Sequence, residues 1–294
     1  MGNCDQARFV EDVIVDVPVE AGTAVNPGTH FTKTWRVENS GSCTWTSEYA
    51  LVYAGGEQMA SPAEAALPEQ EVAPGEVIDI AVPLVAPMAA GTYSGEWLLR
   101  NAAGETFGVG GGAEPLTASL EVFDLPEGVI YDFSEAHCQA IWNTDEATYL
   151  PCNGEPGNIG FVNLLENPAL ESSTRGNPPV LNVHPNQSDS GFIKGYFPPI
   201  TVQAGDTFQA TVGCMDQQEG CSLIFGLGYE LEDGTTGGFD EWPEVYDETS
   251  HEVSVDLSPL AGETVKFILE TSVNGGRTLE ANGFWLDARI ERSK

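Results

Sequence analysis

The residues best suited to ligand chemistry lie close together between positions 237 and 247. Trp242 and Tyr246 stand there beside Asp240 and Glu241, after two glycines. An aromatic ring can stack on the apolar face of a pyranose, and carboxylates accept hydrogen bonds from its hydroxyl groups. We interpret the segment as a loop and predict a sugar site with Trp242 as an exposed platform. The alternative is that Trp242 folds back and caps a core.

A second candidate platform is Trp142. Asn143 and Asp145 follow it, inside the segment bounded by Cys138 and Cys152. The same stacking chemistry applies, so Trp142 is a second ligand-binding candidate.

Motifs of the common hydrolases are absent from the sequence. The four histidines are isolated, and neither an H-E-x-x-H zinc motif nor a G-x-S-x-G serine motif occurs. With 45 Asp and Glu residues, some carboxylates lie close together by chance, so their abundance does not indicate a glycoside hydrolase. We predict a protein that is not an enzyme and keep an acid-pair glycoside hydrolase as a third hypothesis.

Cysteine spacing indicates disulfides rather than a metal site. The six cysteines are even in number, and no pair has the C-x-x-C spacing of many zinc sites. We predict the bridges Cys4–Cys43, Cys138–Cys152 and Cys214–Cys221, with buried free thiols as the alternative. Bridges and an acidic chain favour an extracellular or cell-surface location, with a signal peptide or lipobox removed from the chain.

Net charge excludes one group of partners. The 294 residues include 45 Asp and Glu but only 11 Lys and Arg, a formal charge of -34 at pH 7. Nucleic acids and anionic membranes are bound through clustered basic residues. No apolar run approaches the ~20 residues of a transmembrane helix. The partners expected are therefore an extracellular glycan or a surface protein.

The hydrophobic pattern has a period of two. Apolar residues alternate with polar or small ones from Ile78 to Leu84 and from Leu223 to Leu231. Such alternation is typical of half-buried strands, and turn dipeptides such as Asp233-Gly234 separate them. The pattern predicts an all-β protein with two sandwiches, residues 1–123 and 129–294, joined by a short linker at 124–128.

Residues 9–109 resemble a known family. The resemblance rests on the runs Phe9–Val13, Pro27–Trp45, Val72–Gly75 and Gly91–Asn101. Together these resemble the four-tryptophan domain, an immunoglobulin-like β-sandwich found in a eukaryotic selective-autophagy receptor and in bacterial cell-surface proteins. The resemblance implies a protein-binding or spacer domain without catalysis, and it supports the Cys4–Cys43 bridge.

Three of the family's four tryptophans match Trp35, Trp45 and Trp97, whereas the fourth falls near residues 107–110, where this chain has none. Independently of the family, Trp35 shares one strand face with Phe31 and Val37 by alternation. We therefore expect Trp35 in a core rather than on a ligand platform.

Residues 129–294 look like the jelly rolls of carbohydrate-binding modules. The run Gly283–Ile290 is similar to the closing strand of several such modules, where an Asp often ligates a structural calcium ion. The resemblance implies this role for Asp287, helped by Asp132 or Glu135, while the alternative is a surface Asp287 paired with Arg289. Alternation predicts that Trp285, Asp287 and Arg289 point away from Phe284, Leu286 and Ile290.

The combined hypothesis is a secreted or cell-surface protein with an immunoglobulin-like sandwich and a jelly roll that recognises a glycan. The competing hypothesis is an adhesion or assembly protein that binds another protein through its first domain.

Overall fold

A computed structural model describes residues 4–13, 24–68, 70–111, 114–173 and 177–293; Met1–Asn3, part of the expected processed N-terminus, lie outside these ranges. The chain forms two compact units, Met1–Asp124 and Leu125–Lys294. In the described residues, every regular element longer than three residues is a β-strand, which confirms the all-β prediction. No helix in these ranges is long and apolar enough to cross a membrane.

Unit 1 is a sandwich of two sheets. Its strands are β1 (Ala7–Val13), β2 (Ala24–Val25), β3 (His30–Asn39), β4 (Ala50–Gly56), β5 (Glu64–Ala66), β6 (Val77–Val85), β7 (Gly91–Arg100), β8 (Thr106–Phe107) and β9 (Leu116–Val122). One sheet has the order β1-β3-β6, and the other has the order β2-β9-β7-β4-β5, with β8 also paired to β7. Only the short β2–β9 pair is parallel among these described strands.

The tryptophans of unit 1 fill its core. Trp35 from β3 and Trp97 from β7 are each 1% exposed, and their ring centroids lie 5.5 Å apart between the two sheets. The Trp45 ring packs 5.9 Å from Phe107, the nearest counterpart here to the missing fourth tryptophan. The prediction that Trp35 belongs to the core is confirmed, because alternation placed it on the buried face.

The described part of unit 2 contains twelve further strands. They are β10 (Val129–Asp132), β11 (Ile141–Asn143), β12 (Phe161–Leu165), β13 (Val180–His184), β14 (Phe192–Tyr196), β15 (Ile200–Thr201), β16 (Asp206–Cys214), β17 (Ser222–Leu231), β18 (Thr236–Val245), β19 (His251–Asp256), β20 (Thr264–Val273) and β21 (Gly283–Arg292). Two 3-10 turns, Ser258–Leu260 and Thr278–Glu280, lie between the last strands.

These strands form a jelly roll. The β21 sheet has the order β12-β13-β21-β16-β19, and the β20 sheet has the order β11-β14-β20-β17-β18. The strand pairs 13/14, 16/17, 18/19 and 20/21 each cross from one sheet to the other, which is the jelly-roll topology. Phe208, Phe225 and Trp285 meet between the sheets, with Trp285 ring centroids 6.2 and 5.2 Å from the two phenylalanines.

The closing strand does not alternate as expected. Asp287 has a positive φ of 55°, and the pairing of β21 with β16 shifts register there. This bulge inserts one residue, so Trp285 and Ile290 both enter the main core, while Phe284 packs in a separate cluster with Leu170. The predicted division between faces holds on each side of the bulge, where Trp285 opposes Phe284 and Leu286, but it is wrong across the bulge, because it assumed an uninterrupted period of two.

All six cysteines are in bridges in the structure. The pairs are Cys4–Cys43, Cys138–Cys152 and Cys214–Cys221, as predicted. The alternative of buried free thiols is not observed.

Candidate functional site

The segment 237–247 is mostly a strand and not a loop. Thr236–Val245 forms β18, which pairs with β17 at the edge of the β20 sheet. Within this strand, a Cβ on Gly237 would meet the Tyr229 ring at 2.4 Å. Close packing, rather than a turn, therefore requires glycine at 237.

Trp242 faces the core from this edge strand. It is half-buried, and its ring centroid lies 6.4 Å from that of Trp285 in an edge-to-face contact. Tyr246 is also half-buried, and its hydroxyl donates to Asp216 at 3.5 Å. Trp242 therefore caps the core, as the alternative prediction stated. It does not form the exposed platform that we expected for a sugar site. Asp240 and Glu241 remain exposed.

Trp142 is not available for stacking. Its side chain is 1% exposed, its indole N–H donates to the His137 carbonyl at 2.8 Å, and its ring covers Gly195. The prediction that Trp142 binds a sugar is wrong, because alternation in β11 turns it into the core and turns Ile141 outward.

The outward face of the β20 sheet carries a different set of aromatic residues. In β14, Ile193 is buried, while Phe192, Lys194 and Tyr196 lie half-buried on the other side. In the register with β20, Tyr196 pairs with Ile268. Cross-strand neighbours on one face lie within contact range, so these residues form a continuous surface.

The same surface extends to the edge strand β11. Ile141 pairs with Tyr196 and is 40% exposed. Leu150 pairs with Trp142 and is buried, so the adjacent Tyr149 points outward, where it is 66% exposed. We call Ile141, Tyr149, Phe192, Tyr196 and Ile268 the aromatic face.

A groove continues this surface on the other side of β20. Gly226 pairs with Glu270, and Gly228 pairs with both Ile268 and Gly238. A Cβ on Gly226 or Gly238 would meet nothing closer than 3.8 Å, so the space above them is open. The groove has a volume of about 510 Å³.

Carboxylates border the groove. Asp240, Glu241 and Glu270 line it, and Glu270 is held by Lys194, whose Nζ lies 2.9 Å from Oε2. The Lys194 ammonium also lies 5.3 Å from the centre of the Phe192 ring. The outward face therefore combines exposed rings with hydrogen-bond acceptors, the two components of a sugar site.

The predicted calcium ligands are engaged by other groups. Asp132 Oδ1 accepts backbone hydrogen bonds from Ser134 at 2.8 Å and Glu135 at 3.1 Å. The Asp287 side chain is 70% exposed and lies 3.2 Å from an Arg289 nitrogen, as in the alternative reading. Burial raises the pKa of Asp132, and the negative charge of Asp287 raises it further. Because the Arg289 cation already pairs with Asp287, these residues do not fit a calcium cage.

Besides Asp206, two acids in unit 2 are buried and were not identified from the sequence. Glu171 is 6% exposed and accepts hydrogen bonds from the backbone of Cys214 at 2.6 Å and Asp247 at 3.0 Å. Glu244 is 9% exposed and lies 3.1 Å from His251 Nδ1. Burial raises the pKa of both carboxyls. Glu171 therefore links its own segment to the end of β16 and to the segment after β18, and Glu244 joins β18 to β19.

The aromatic face was also missed, although one signal was present. The run Phe192–Tyr196 places aromatic residues at both ends of one strand face, with Lys194 between them. Which face of this short strand points outward depends on the sheet that packs against it, and the local sequence does not determine this.

Comparison with known proteins concerns mainly unit 1. Residues 18–122 match the model of the Ig-like domain from next to BRCA1 gene. The chain is 34% identical over 106 residues to protein ILRUN of Danio rerio, covering 36% of this chain and 35% of that protein. It is 34% identical over 105 residues to protein JOKA2 of Solanum tuberosum, covering 35% of this chain and 12% of that protein. The chain thus spans about a third or less of these relatives.

Solved structures similar to this chain include carbohydrate-binding modules. One from the β-sandwich superfamily covers 98% of both chains at 10% identity and a TM-score of 0.37. A CBM61 module in complex with β-1,4-galactotriose covers 55% of this chain and 94% of its own at 12% identity and a TM-score of 0.35. We transfer no residue role from structures at this level of similarity.

Proposed function

We propose that unit 2 is a non-enzymatic module that binds an extracellular glycan on the outward face of the β20 sheet. The observation that supports this most is the placement of Tyr149 and Tyr196 on the same face as the carboxylate-bordered groove. The proposal keeps the predicted ligand class and the roles of Asp240 and Glu241, and replaces the two tryptophans by two tyrosines.

The chemistry of the face matches a sugar ring. The flat faces of Tyr149 and Tyr196 supply the apolar contact, with Ile141 and Ile268 between and beside them. Exposed carboxylates such as Asp240 accept hydrogen bonds from hydroxyl groups. Anionic glycans are disfavoured, because the whole chain carries a formal charge of -34.

Glycan-array binding of the full chain tests this proposal. Tyr149→Ala and Tyr196→Ala should each weaken binding about tenfold, equivalent to about 1.4 kcal/mol. Leu279→Ala is the matched control, since Leu279 is a 71% exposed apolar residue of the same unit outside the aromatic face. Binding that both tyrosine variants retain at full strength would contradict the proposed face. Release of new reducing ends from a bound glycan would favour the hydrolase hypothesis instead.

Three disulfides support an extracellular or cell-surface location, because such bridges persist in oxidising compartments. Native expression followed by cell fractionation tests this: recovery of the chain in a reducing cytosol with free thiols would contradict it.

A protein-binding role for unit 1 is the second candidate. In the described residues β1 is the edge of its sheet, and Phe9 and Val10 on it are 43% and 40% exposed. An edge strand offers unpaired backbone groups to which a partner strand can add. Val10→Pro removes one backbone donor, so a partner identified by cross-linking at β1 should be lost in this variant and kept in Val77→Ala.

A further inference from the structure

The Cys138–Cys152 bridge differs from the other two bridges in its surroundings. Cys138 is exposed and Cys152 is half-buried, whereas Cys214 and Cys221 are 0% and 3% exposed. A thiol in solution can therefore reach this bridge without opening the core.

His137 lies against one sulfur of this bridge. Its Nε2 is 3.2 Å from Cys138 Sγ, and its Nδ1 is 2.5 Å from the Ser134 carbonyl oxygen. A carbonyl can only accept, so Nδ1 carries the ring proton in neutral His137. The unprotonated Nε2 then faces the sulfur and is placed to accept a proton there.

Asn153 supplies hydrogen-bond donors on the same sulfurs. Its Nδ2 lies 3.4 Å from Cys152 Sγ and 3.7 Å from Cys138 Sγ. Its Oδ1 accepts from the Leu164 backbone at 3.0 Å, which fixes the amide orientation. Amide and imidazolium N–H groups both stabilise a thiolate relative to a thiol.

The Cys4–Cys43 bridge has the opposite electrostatics. The Asp5 carboxylate lies within 4.8 Å of both of its sulfurs. A negative charge disfavours a thiolate, and a thiolate is the leaving group when a disulfide is reduced. The Cys4–Cys43 bridge is therefore expected to react more slowly than Cys138–Cys152, even where a thiol can reach its sulfurs.

From this geometry we propose that Cys138–Cys152 is a thiol–disulfide exchange site whose co-reactant is a small or protein thiol. The incoming thiol forms a bond with Cys152 Sγ as the bond between Cys152 and Cys138 breaks. The incoming thiol releases its proton to solvent, His137 Nε2 takes up a proton from solvent, and Cys138 leaves as a thiolate beside that imidazolium. A second thiol then releases Cys152 as a thiol, so one protein disulfide is reduced and two external thiols are oxidised to one disulfide.

Reduction would also affect the aromatic face, a consequence that rests on the proposed function. The bridge closes the segment that contains Ile141 and Tyr149, two of the five residues of that face. Opening the bridge frees the ends of this segment and is expected to weaken glycan binding. The exchange chemistry itself does not depend on whether a glycan binds.

Timed exchange of the full chain with reduced glutathione at neutral pH tests the proposal, with acid quenching, alkylation and peptide mass mapping of all six cysteines. Cys138 and Cys152 should be alkylated about tenfold faster than the other four. His137→Gln should slow their alkylation about tenfold, because glutamine can donate to a thiolate but cannot accept the proton. His184→Gln is the matched control, since His184 is also buried and its ring nitrogens face backbone carbonyls.

A second variant keeps the test valid if His137→Gln disturbs folding. Asn153→Asp preserves an acceptor for Leu164 but places a negative charge beside both sulfurs, so it should also slow exchange. Equal rates at the three bridges, or unchanged rates in both folded variants, would overturn the proposal. Absence of glycan binding by the fully oxidised chain, together with the expected exchange at Cys138–Cys152, would contradict only the proposed function.

Discussion

The carboxylate of Asp206 and the guanidinium of Arg292 join the first residue of β16 to the last residue of β21. Arg292 Nε and Nη2 donate to the two oxygens of Asp206 at 2.7 and 2.8 Å, and Asp206 is 0% exposed. Planar two-point contacts of this kind fix geometry as well as charge. They hold the end of β21 against the start of β16.

Asp206→Ala is therefore expected to destabilise unit 2 by about 3 kcal/mol in urea unfolding, since it leaves the Arg292 charge partly buried without its partner. Arg8→Ala should change the free energy of unfolding by at most about 1 kcal/mol, because its pair with Glu38 is on the surface. Equal effects of the two substitutions would show that burial of the Asp206 pair does not matter.

The pKa of Glu171 is raised by burial, and the negative charges of Asp247 and Glu244 add to this. The native state then binds this proton more tightly than the unfolded state. Stability should therefore rise as the pH falls from about 7 towards about 5, and fall again as the pH rises through the native pKa. In Glu171→Gln the rise in Tm over this range should be smaller than in the wild type.

Glu166→Gln is the control for this measurement, because Glu166 is an exposed acid of the same loop. Its Tm should follow the wild-type pH dependence apart from the small effect of one surface charge. If both variants track the wild type equally, Glu171 does not titrate as a buried group.

Gly195 is needed for the packing of Trp142. A Cβ at this position would meet the Trp142 ring at 2.6 Å. Gly195→Ala is therefore expected to cost about 1–3 kcal/mol in chemical denaturation. Gly157→Ala should cost much less, since its Cβ would meet nothing closer than 3.9 Å. A neutral Gly195→Ala would mean that the Trp142 ring can move aside without loss.

Calcium removal should leave the protein unchanged. Arg289 already pairs with Asp287, and Asp132 accepts two backbone hydrogen bonds. A bound ion would stabilise the native state by mass action. We therefore expect the same Tm with excess calcium and with a chelator, while a higher Tm in calcium that Asp287→Asn abolishes would restore the calcium hypothesis.

The alternation of apolar and polar residues predicted much of the β architecture. Alternation from Ile78 to Leu84 and in Leu223–Leu231 predicted strands that the structure contains in β6 and β17. Alternation did not predict the structure where tertiary contacts decide the role of a residue. The segment 237–247 was predicted to be a loop, but it is mostly strand, and its Gly237 is required because the Tyr229 ring occupies the space of a Cβ.

The sequence by itself determined the all-β class and the core position of Trp35, because both follow from alternation. Cysteine number and spacing favoured disulfides, but which cysteines pair was decided by the tertiary structure. Tertiary structure alone decided which faces look outward. A strand face becomes a core or a ligand surface only through the sheet packed against it, so Trp142 and Trp242 turned inward while Tyr149 and Tyr196 turned out. The bulge at Asp287 was also decided by the tertiary structure, because it appears in the pairing of β21 with β16 and not in the local sequence pattern.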